Sequence, residues 1–407
     1  MASKRRIAVV SPFLDKQHGT ERCVVEQLNR LGNNYEIHVY SKRVEDIEPG
    51  KIIWHRVPDI PGPHILRYIW FFVANHFYRW RDRRFRNLHY DLVLSPGVNC
   101  LDADVITAHI IFCVFLRNIR HSLRFRATPM RSWLRLMHRR LLYRIVITLE
   151  RSSYSRKDLY LVVLTRVMAR DVERSFGKSK RLFPLYYGVD SEKFSPAVRN
   201  SLRAGARQSL GLRKDEFLIL LVGNDLVTKG LRCLLQAVNL LQNPSIRVVV
   251  AGMDERAPYL KFLRQHSLTS QLTFLAIRPD VEFYYAAADL YVAASLYDGF
   301  PLPPFEAMSC GIPAIVSSQA GISEIVSDGE DGFVLTDPED FPSLAKMIKR
   351  LVDDPALCAR MGANATRNVA QYSWDRNAAG LEEVLEAFFA GRENTGESEL
   401  AERVAES

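Results

Sequence analysis

Residues 290–318 read LYVAASLYDGFPLPPFEAMSCGIPAIVSS. An apolar strand-like run at 290–295 ends in a turn that contains Asp298 and Gly299, and a helix-like run follows almost at once at 303–310. A second strand-like run begins at residue 313. Strand, helix and strand in such close succession predict a βαβ unit, in which the two strands are parallel and the helix covers one face of the sheet.

The same alternation of strands and helices extends in both directions along the chain. Earlier strand-like runs lie at 6–13, 36–41, 51–57, 91–96, 104–109 and 159–165, and a second series comprises 217–223, 246–252, 272–277, 290–295, 313–318 and 332–336. The turn-rich and then charged stretch 182–216 separates the two series and predicts a linker. We therefore predict an α/β fold with two Rossmann-like doubly wound domains that face one another across a cleft.

Domain bounds follow from this pattern. We assign residues 1–183 to an N-terminal Rossmann-like domain and 184–371 to a C-terminal one. Residues 372–390 are predicted to form a helix that crosses back to the first domain, and 321–327 a short helix within the second. The acidic and polar stretch 391–407 is predicted to be a mobile or loosely helical tail.

Composition excludes several classes of protein. The 407 residues are 47% apolar and 25% charged, as in an ordinary globular protein, and no uninterrupted apolar run approaches 18 residues. The six cysteines are scattered without a CxxC pair, which argues against a zinc site or a disulfide framework. The first strand begins almost at the N-terminus and leaves no room for a signal peptide. These features predict a cytoplasmic protein with reduced thiols.

Positive charge is concentrated in one part of the chain. The net charge is +9, and residues 56–145 alone hold 16 Arg and 5 Asp, with no Lys or Glu. Within 65–145, arginines alternate with Trp, Phe and Leu, a composition typical of segments that lie on anionic membranes. The alternative is a solvated arginine-rich face with its aromatic side chains in the core. We predict peripheral attachment to the inner face of the cell membrane.

Two acids stand at the predicted ligand edge of the second domain. Asp298 follows a strand, where doubly wound sheets bind ligands, and Glu306 lies near the start of the next helix. The N-terminus of a helix favours phosphate. A carboxylate close to it can accept hydrogen bonds from two neighbouring hydroxyl groups, such as those of a ribose. On a second interpretation, which stays open here, Glu306 only complements the helix dipole and Asp298 only satisfies a turn.

The stretch 289–335 resembles the signature of glycosyltransferase family 4, the retaining enzymes of the GT-B fold. That signature has two acids separated by seven residues, then Glu-Ala, a Gly and a Pro, which here are Asp298, Glu306–Ala307, Gly311 and Pro313. Aspartate stands at 298, where glutamate is usual. The resemblance implies that Asp298 and the backbone of Gly299, Phe300, Pro301 and Leu302 hold the donor sugar, and that Glu306 holds the ribose.

Other segments extend the resemblance. The stretch 220–238 is similar to the family's glycine-to-lysine element, which implies that Lys229 grips the donor diphosphate. Asn224 and Thr228 occupy places where the family often has an arginine, a departure that either weakens donor binding or shifts this role to Arg278. Asn224 and Arg278 are expected to line the nucleotide pocket. Gly19, before a helix that Thr20 is expected to cap, resembles the family's glycine-rich loop, whose amides contact either the diphosphate or the acceptor, and His109 resembles its sugar-binding histidine. The resemblance also implies that residues 1–183 bind the acceptor and residues 184–371 the nucleotide sugar. Tyr187 replaces the asparagine of an interdomain segment.

The resemblance implies transfer of a hexose from a nucleotide-diphosphate sugar to a hydroxyl of a glycan or lipid-linked acceptor, with retention of configuration. Lys229, Asp298, Glu306 and His109 would act in catalysis, without a protein nucleophile or a metal. Cell-envelope polysaccharide or glycolipid synthesis is the expected setting. Two alternatives stay open: a sugar-nucleotide epimerase or phosphorylase on the same fold, and a non-catalytic protein that binds nucleic acid or other anions. Nucleic acid is not the expected partner.

Overall fold

The computed structural model describes residues 4–119, 133–178, 181–252, 256–266, 268–276, 278 and 280–405. The chain forms two compact units, one of residues 1–116, 122–188 and 374–407 and the other of residues 117–121 and 189–373. The main part of the second unit therefore starts at Val189, rather than at the predicted residue 184. The final segment of the chain belongs to the first unit.

The first unit is built on a parallel sheet of seven strands in the order β5-β3-β1-β6-β7-β8-β9. Its strands are β1 Arg6–Val10, β3 Glu36–Ser41, β5 Ile53–Arg56, β6 Leu92–Pro96, β7 Val105–Ala108, β8 Tyr160–Val163 and β9 Leu182–Pro184. A separate ladder pairs β2 Phe13–Leu14 with β4 Arg43–Val44. The central strands are buried on both faces, which explains why they appear in the sequence as continuous apolar runs.

Helices cover this sheet. They are α1 Gly19–Leu31, α2 His64–Arg86, α3 Phe112–Asn118, α4 Trp133–Tyr154, α5 Arg166–Phe176 and α13 Trp374–Ala405. The last helix packs Leu381, Leu385 and Phe388 into the same core as the strands. Near its start, Asn377 accepts a hydrogen bond from Gln27 on α1 (2.9 Å) and donates one to the Tyr186 carbonyl (2.7 Å). The chain end is thus part of the first unit's core.

The second unit contains a parallel sheet of six strands in the order β12-β11-β10-β13-β14-β15. Its strands are β10 Phe217–Val222, β11 Ile246–Ala251, β12 Leu272–Leu275, β13 Leu290–Ala293, β14 Ala314–Ser317 and β15 Gly332–Leu335. Its helices are α6 Pro196–Ser209, α7 Leu231–Leu241, α8 Ala257–Gln265, α9 Glu282–Ala287, α10 Leu302–Ser309, α11 Phe341–Asp353 and α12 Pro355–Val369. Each unit is a Rossmann-like α/β layer structure, as the sequence predicted.

The predicted linker 182–216 is not a linker. It contains strand β9 and helix α6, and α6 belongs to the second unit. Arg199, Arg203 and Arg207 lie four residues apart along α6, and their guanidinium groups donate to the carbonyl groups that end α9. Because this helix packs through cations rather than apolar side chains, hydrophobic periodicity does not reveal it.

Two smaller expectations also differ from the structure. The predicted helix at 321–327 is a short 3₁₀ turn over Gly321–Glu324. The stretch from 391, expected to be a mobile or loosely helical tail, is not separate from the terminal helix, because α13 continues through it as far as Ala405. Residues 406–407 lie outside the described part of the chain.

The arginine-rich region contains two long helices, α2 and α4, and its residues 120–132 lie outside the described part. Along α2 the large apolar side chains Leu66, Ile69, Trp70, Val73, Phe77 and Trp80 are exposed. Their spacing of three or four residues places them on one side of the helix, and we call them the α2 stripe. Within the described residues, no helix has the length and apolarity that crossing a bilayer requires.

Candidate active site

Two neighbouring strands of the second unit bring Lys229 and Asp298 together. Lys229 lies in the loop after β10 and Asp298 in the loop after β13, and these two strands are paired in the sheet. The loops are joined by a hydrogen bond from the Leu296 amide to the Thr228 carbonyl (2.8 Å). The Lys229 ammonium forms an ion pair with the Asp298 carboxylate, and the two side chains are 20% and 18% exposed. The pair therefore stands at the carboxyl edge of the sheet, within reach of solvent.

The loop that carries Lys229 has a defined shape. Asp225 has a positive φ of 59°, and its carbonyl accepts from the Lys229 amide (3.1 Å) and the Thr228 hydroxyl (3.0 Å). Thr228, which occupies a position where the family often has arginine, thus stabilises the loop. Asn224 is exposed at its start. Gly223 leaves room for the lysine stem, because an added Cβ would lie 3.2 Å from Lys229 Cε.

The backbone around Asp298 is fixed on both sides. The Asp298 amide donates to the Gln319 carbonyl (3.1 Å), and its carbonyl accepts from the Gly321 amide (2.9 Å). Beyond Gly299, the side chains of Phe300 and Leu302 are buried, and Phe300 packs edge-on against Phe305 at 5.3 Å. Pro301 is extended and directly precedes α10. These side chains pack the interior, so only the backbone of the stretch suits contact with a ligand.

Glu306 is buried rather than placed at an exposed helix start. It is the fifth residue of α10, beyond the first turn, so the interpretation that it merely complements the helix dipole is wrong. Its Oε2 accepts a hydrogen bond from the hydroxyl of Tyr285, on α9 (2.7 Å). Burial and then the Glu306 charge raise the pKa of Tyr285 well above its usual value, so Tyr285 remains a hydrogen-bond donor.

Tyr291 is a buried residue of β13. Its hydroxyl donates to the Val222 carbonyl (3.2 Å), at the end of β10. Burial raises the pKa of Tyr291, and the charges of Asp298 and Glu306 raise it further. Asp298 and the helix α10 that carries Glu306 both follow β13 directly in the chain. No local sequence pattern singles out Tyr285 or Tyr291.

Arg278 follows β12 and has partners of its own. Its guanidinium forms two hydrogen bonds to Asp280 (2.8 and 2.7 Å) and lies 4.5 Å from the centre of the Phe283 ring. Both members of this ion pair are about half exposed. The structure thus places Arg278 at the surface of the second unit, and its assignment to the nucleotide pocket stays a prediction.

His109 and Gly19 belong to the first unit. His109 follows β7 and is buried, with Nδ1 2.5 Å from the Tyr187 hydroxyl and Nε2 3.3 Å from Thr107 Oγ1. Burial lowers the pKa of His109 to about 4, so that the ring is neutral at pH 7. Tyr187 can donate to Nδ1 only when the ring proton is on Nε2. The contact of Tyr187, which the sequence left open, is therefore with His109.

The loop before Gly19 is organised by Asp15. This buried carboxylate accepts from the Gln17 and His18 amides (both 3.0 Å) and lies 2.9 Å from His18 Nδ1. Gly19 is the first residue of α1, and the residue before the helix is His18, without a side-chain cap. The expectation that Thr20 caps the helix is therefore wrong.

A cavity of about 660 Å³ lies in the first unit, at the carboxyl edge of its sheet. Its apolar walls include Phe13, Phe71, Val98, Ile110, Phe112 and Val146, and its polar lining includes His18, Lys42, Arg43, Arg67, His109 and Glu150. The three cations have acidic partners. Lys42 and Arg67 bind Asp59, and Arg43 binds Asp15. Among the described residues, no group of three or more His, Cys, Asp or Glu is arranged to hold a metal ion.

Comparison with known proteins supports the resemblance. Residues 203–368 match the sequence profile of the family described as glycosyl transferases group 1. The D-inositol 3-phosphate glycosyltransferase of Salinispora arenicola is 30% identical to this chain over 241 residues, which are 55% of this chain and 54% of that protein. This chain thus spans about half the length of that relative.

Solved structures establish the fold. The structure of WaaG, a glycosyltransferase involved in lipopolysaccharide biosynthesis, matches with a TM-score of 0.75 at 18% identity, over 93% of this chain and 98% of that chain. The structure of Anabaena HepE in complex with UDP and glucose matches with a TM-score of 0.69, also at 18% identity, over 94% of this chain and 100% of that chain. The predicted GT-B fold is confirmed.

The substitution Gly230→Ala tests the geometry of the lysine loop. Gly230 has a φ of +75°, and an added Cβ would lie 1.9 Å from the Ala294 carbonyl oxygen. We expect this variant to lower the free energy of unfolding by about 2–4 kcal/mol in chemical denaturation, because both strain and a backbone clash result.

The matched control is Gly205→Ala, in α6, where nothing lies within 4 Å of an added Cβ and φ is not positive. That variant should be as stable as the parent, or more stable by up to about 1 kcal/mol. Equal stability of the two variants would contradict the close approach at Gly230.

Proposed function

We propose that this chain, whose residues 203–368 form a glycosyl transferases group 1 domain, is a retaining glycosyltransferase. It transfers a hexose from a nucleotide-diphosphate sugar to a hydroxyl of a glycan or lipid-linked acceptor in cell-envelope polysaccharide or glycolipid synthesis. The observation that carries this proposal is the ion pair of Lys229 and Asp298, in the loops that follow the paired strands β10 and β13 at the carboxyl edge of the second sheet.

Lys229 is the proposed partner of the donor diphosphate. Its ammonium and the Asp298 carboxylate neutralise each other while remaining partly exposed. A diphosphate carries more negative charge than one carboxylate, so it competes for the ammonium and leaves Asp298 to accept hydrogen bonds from sugar hydroxyls. The cation then stabilises the negative charge that develops on the departing diphosphate, and the proposed reaction requires no metal.

Glu306 is the proposed ribose-binding residue. Tyr285 fixes the orientation of the carboxyl group by its hydrogen bond to Oε2. A carboxylate accepts hydrogen bonds only, which matches a pair of hydroxyl donors. The Anabaena HepE structure contains UDP and glucose, which supports a UDP-sugar as the first donor to test.

The first unit supplies the proposed acceptor cavity and His109. A neutral His109 ring offers a hydrogen bond to a sugar hydroxyl without adding a charge. In the proposed reaction, the bond between the anomeric carbon and the phosphate oxygen breaks, and a bond to the acceptor oxygen forms on the same face of the sugar. The acceptor proton passes to the departing diphosphate, so no protein nucleophile takes part.

The proposed location is the inner face of the cell membrane. The α2 stripe exposes Phe77 and Trp80 by 54% and 55%, and arginines at 83, 84 and 86 follow in the last turn of the helix. Exposed aromatic side chains beside guanidinium groups match the interface of an anionic bilayer. Arg79 does not belong to this surface, since it is buried and binds Asp102 (2.8 and 2.7 Å).

The variant Glu306→Gln tests the ribose role. Glutamine keeps the size of the side chain and an acceptor for Tyr285, but it loses the negative charge. We expect kcat/KM for nucleotide release to fall about a hundredfold, as when a charged hydrogen-bonding partner of a substrate is removed. Glu339→Gln, at an exposed position of the same unit, is the control and should retain full activity. Full activity of Glu306→Gln would refute the ribose role.

The double variant Phe77→Ser/Trp80→Ser tests membrane attachment. We expect its partition onto vesicles rich in phosphatidylglycerol, measured by co-sedimentation, to fall at least about tenfold, because two exposed aromatic anchors are lost. Leu240→Ser is the control, since Leu240 is equally exposed (54%) but lies on α7 of the second unit. If the double variant and the Leu240→Ser control sediment with vesicles to the same extent, the α2 stripe is not the attachment surface.

A further inference from the structure

Glu150 is a buried acid that lines the cavity of the first unit. It lies on α4, and its side chain is 1% exposed. Its Oε1 accepts a hydrogen bond from the Phe112 amide (2.9 Å), 38 residues away in the chain. Its Oε2 has no hydrogen-bond partner within the described residues. One carboxyl oxygen thus has a structural contact, and the other does not.

A structural role does not account for this acid. Burial raises the pKa of Glu150 to about 7, although the amides of Phe112 and Cys113 lower it. A carboxylate buried without a cation beside it is costly, and glutamine would accept the same Phe112 hydrogen bond without that cost. Residues that lower stability and are not needed for packing are typical of ligand sites.

The surroundings of Glu150 indicate which ligand fits. Phe112, Ile110 and Val146 form apolar walls of the same cavity. Lys42 and Arg67, which also line it, share Asp59, and among the described residues no ion pair includes Glu150. An anionic group beside Glu150 would be repelled by the carboxylate. A hydroxyl group, by contrast, donates a hydrogen bond directly to a carboxylate oxygen.

We infer that Glu150 determines acceptor specificity. Its Oε2 accepts a hydrogen bond from a hydroxyl of a neutral acceptor, and the apolar part of that acceptor packs against the cavity wall. This inference rests on the proposed function, because it assigns the acceptor to this cavity. It adds a chemical class: an uncharged, hydroxyl-bearing acceptor next to an apolar group, rather than a phosphate or a carboxylate. Glu150 is 41 residues from His109 in the chain and on a different element.

The test uses the full chain and a defined probe. Octyl glucoside carries neutral sugar hydroxyls on an apolar chain, and octyl phosphate carries an anion on the same chain. Dissociation constants are measured by isothermal titration calorimetry below the micellar concentration for wild type, Glu150→Gln and the control Glu48→Gln. Glu48 is an exposed acid of the same unit that does not line the cavity.

We expect wild type to bind octyl glucoside saturably and more tightly than octyl phosphate. Glu150→Gln should weaken octyl glucoside binding about tenfold, the usual effect of losing a hydrogen bond to a charged group, and should reduce the preference over octyl phosphate. Glu48→Gln should match wild type. Methyl glucoside, in parallel, distinguishes a glycan from a lipid-borne sugar as the source of the hydroxyl.

A second measurement separates this role from a structural one. At pH 8, where the Glu150 carboxyl is largely ionised, Glu150→Gln should unfold at the same denaturant concentration as wild type or at a higher one. The inference is overturned if wild type shows no saturable binding, if Glu150→Gln binds octyl glucoside as wild type does, or if Glu150→Gln is less stable at this pH. Donor hydrolysis without acceptor reports on the second unit, so its loss would count against the proposed function instead.

Discussion

The ion pair between Lys229 and Asp298 fixes the two loops on which the candidate donor site depends. Both loops leave the carboxyl edge of one parallel sheet from paired strands, and the Leu296–Thr228 backbone hydrogen bond holds them side by side. Because the two side chains are only about one-fifth exposed, each charge loses most of its hydration, and their pairing offsets that cost and joins the two loops. A partly solvated pair also exchanges partners readily, which is the property that a site for a charged ligand needs.

Much of the fold was predictable because parallel strands buried on both faces appear as uninterrupted apolar runs. The elements that were missed form contacts of another kind. Helix α6 binds the end of α9 through Arg199, Arg203 and Arg207, so its sequence suggested a charged linker. The tail from 391, whose composition predicted a mobile or loosely helical segment, continues α13 as far as Ala405.

The candidate site was predictable only where its residues form a local pattern. Lys229, Asp298 and Glu306 lie in short signatures, and Lys229 and Asp298 form an ion pair at the carboxyl edge of the second sheet. Their supports come from elsewhere in the chain. Tyr285 is 21 residues from Glu306, and Tyr187 is 78 residues from His109. Glu150 was not identified from the sequence because its meaning depends on the cavity that the fold creates around it.

The most direct test of this account is to follow nucleotide release from a panel of UDP-, GDP- and ADP-hexoses, with and without a bacterial membrane extract. The proposed function predicts that one donor binds and releases its nucleotide and that membranes accelerate this release. The reaction should also proceed in the presence of a metal chelator. If the folded protein binds none of these donors, the assignment of Lys229, Asp298 and Glu306 to a nucleotide-sugar site is wrong.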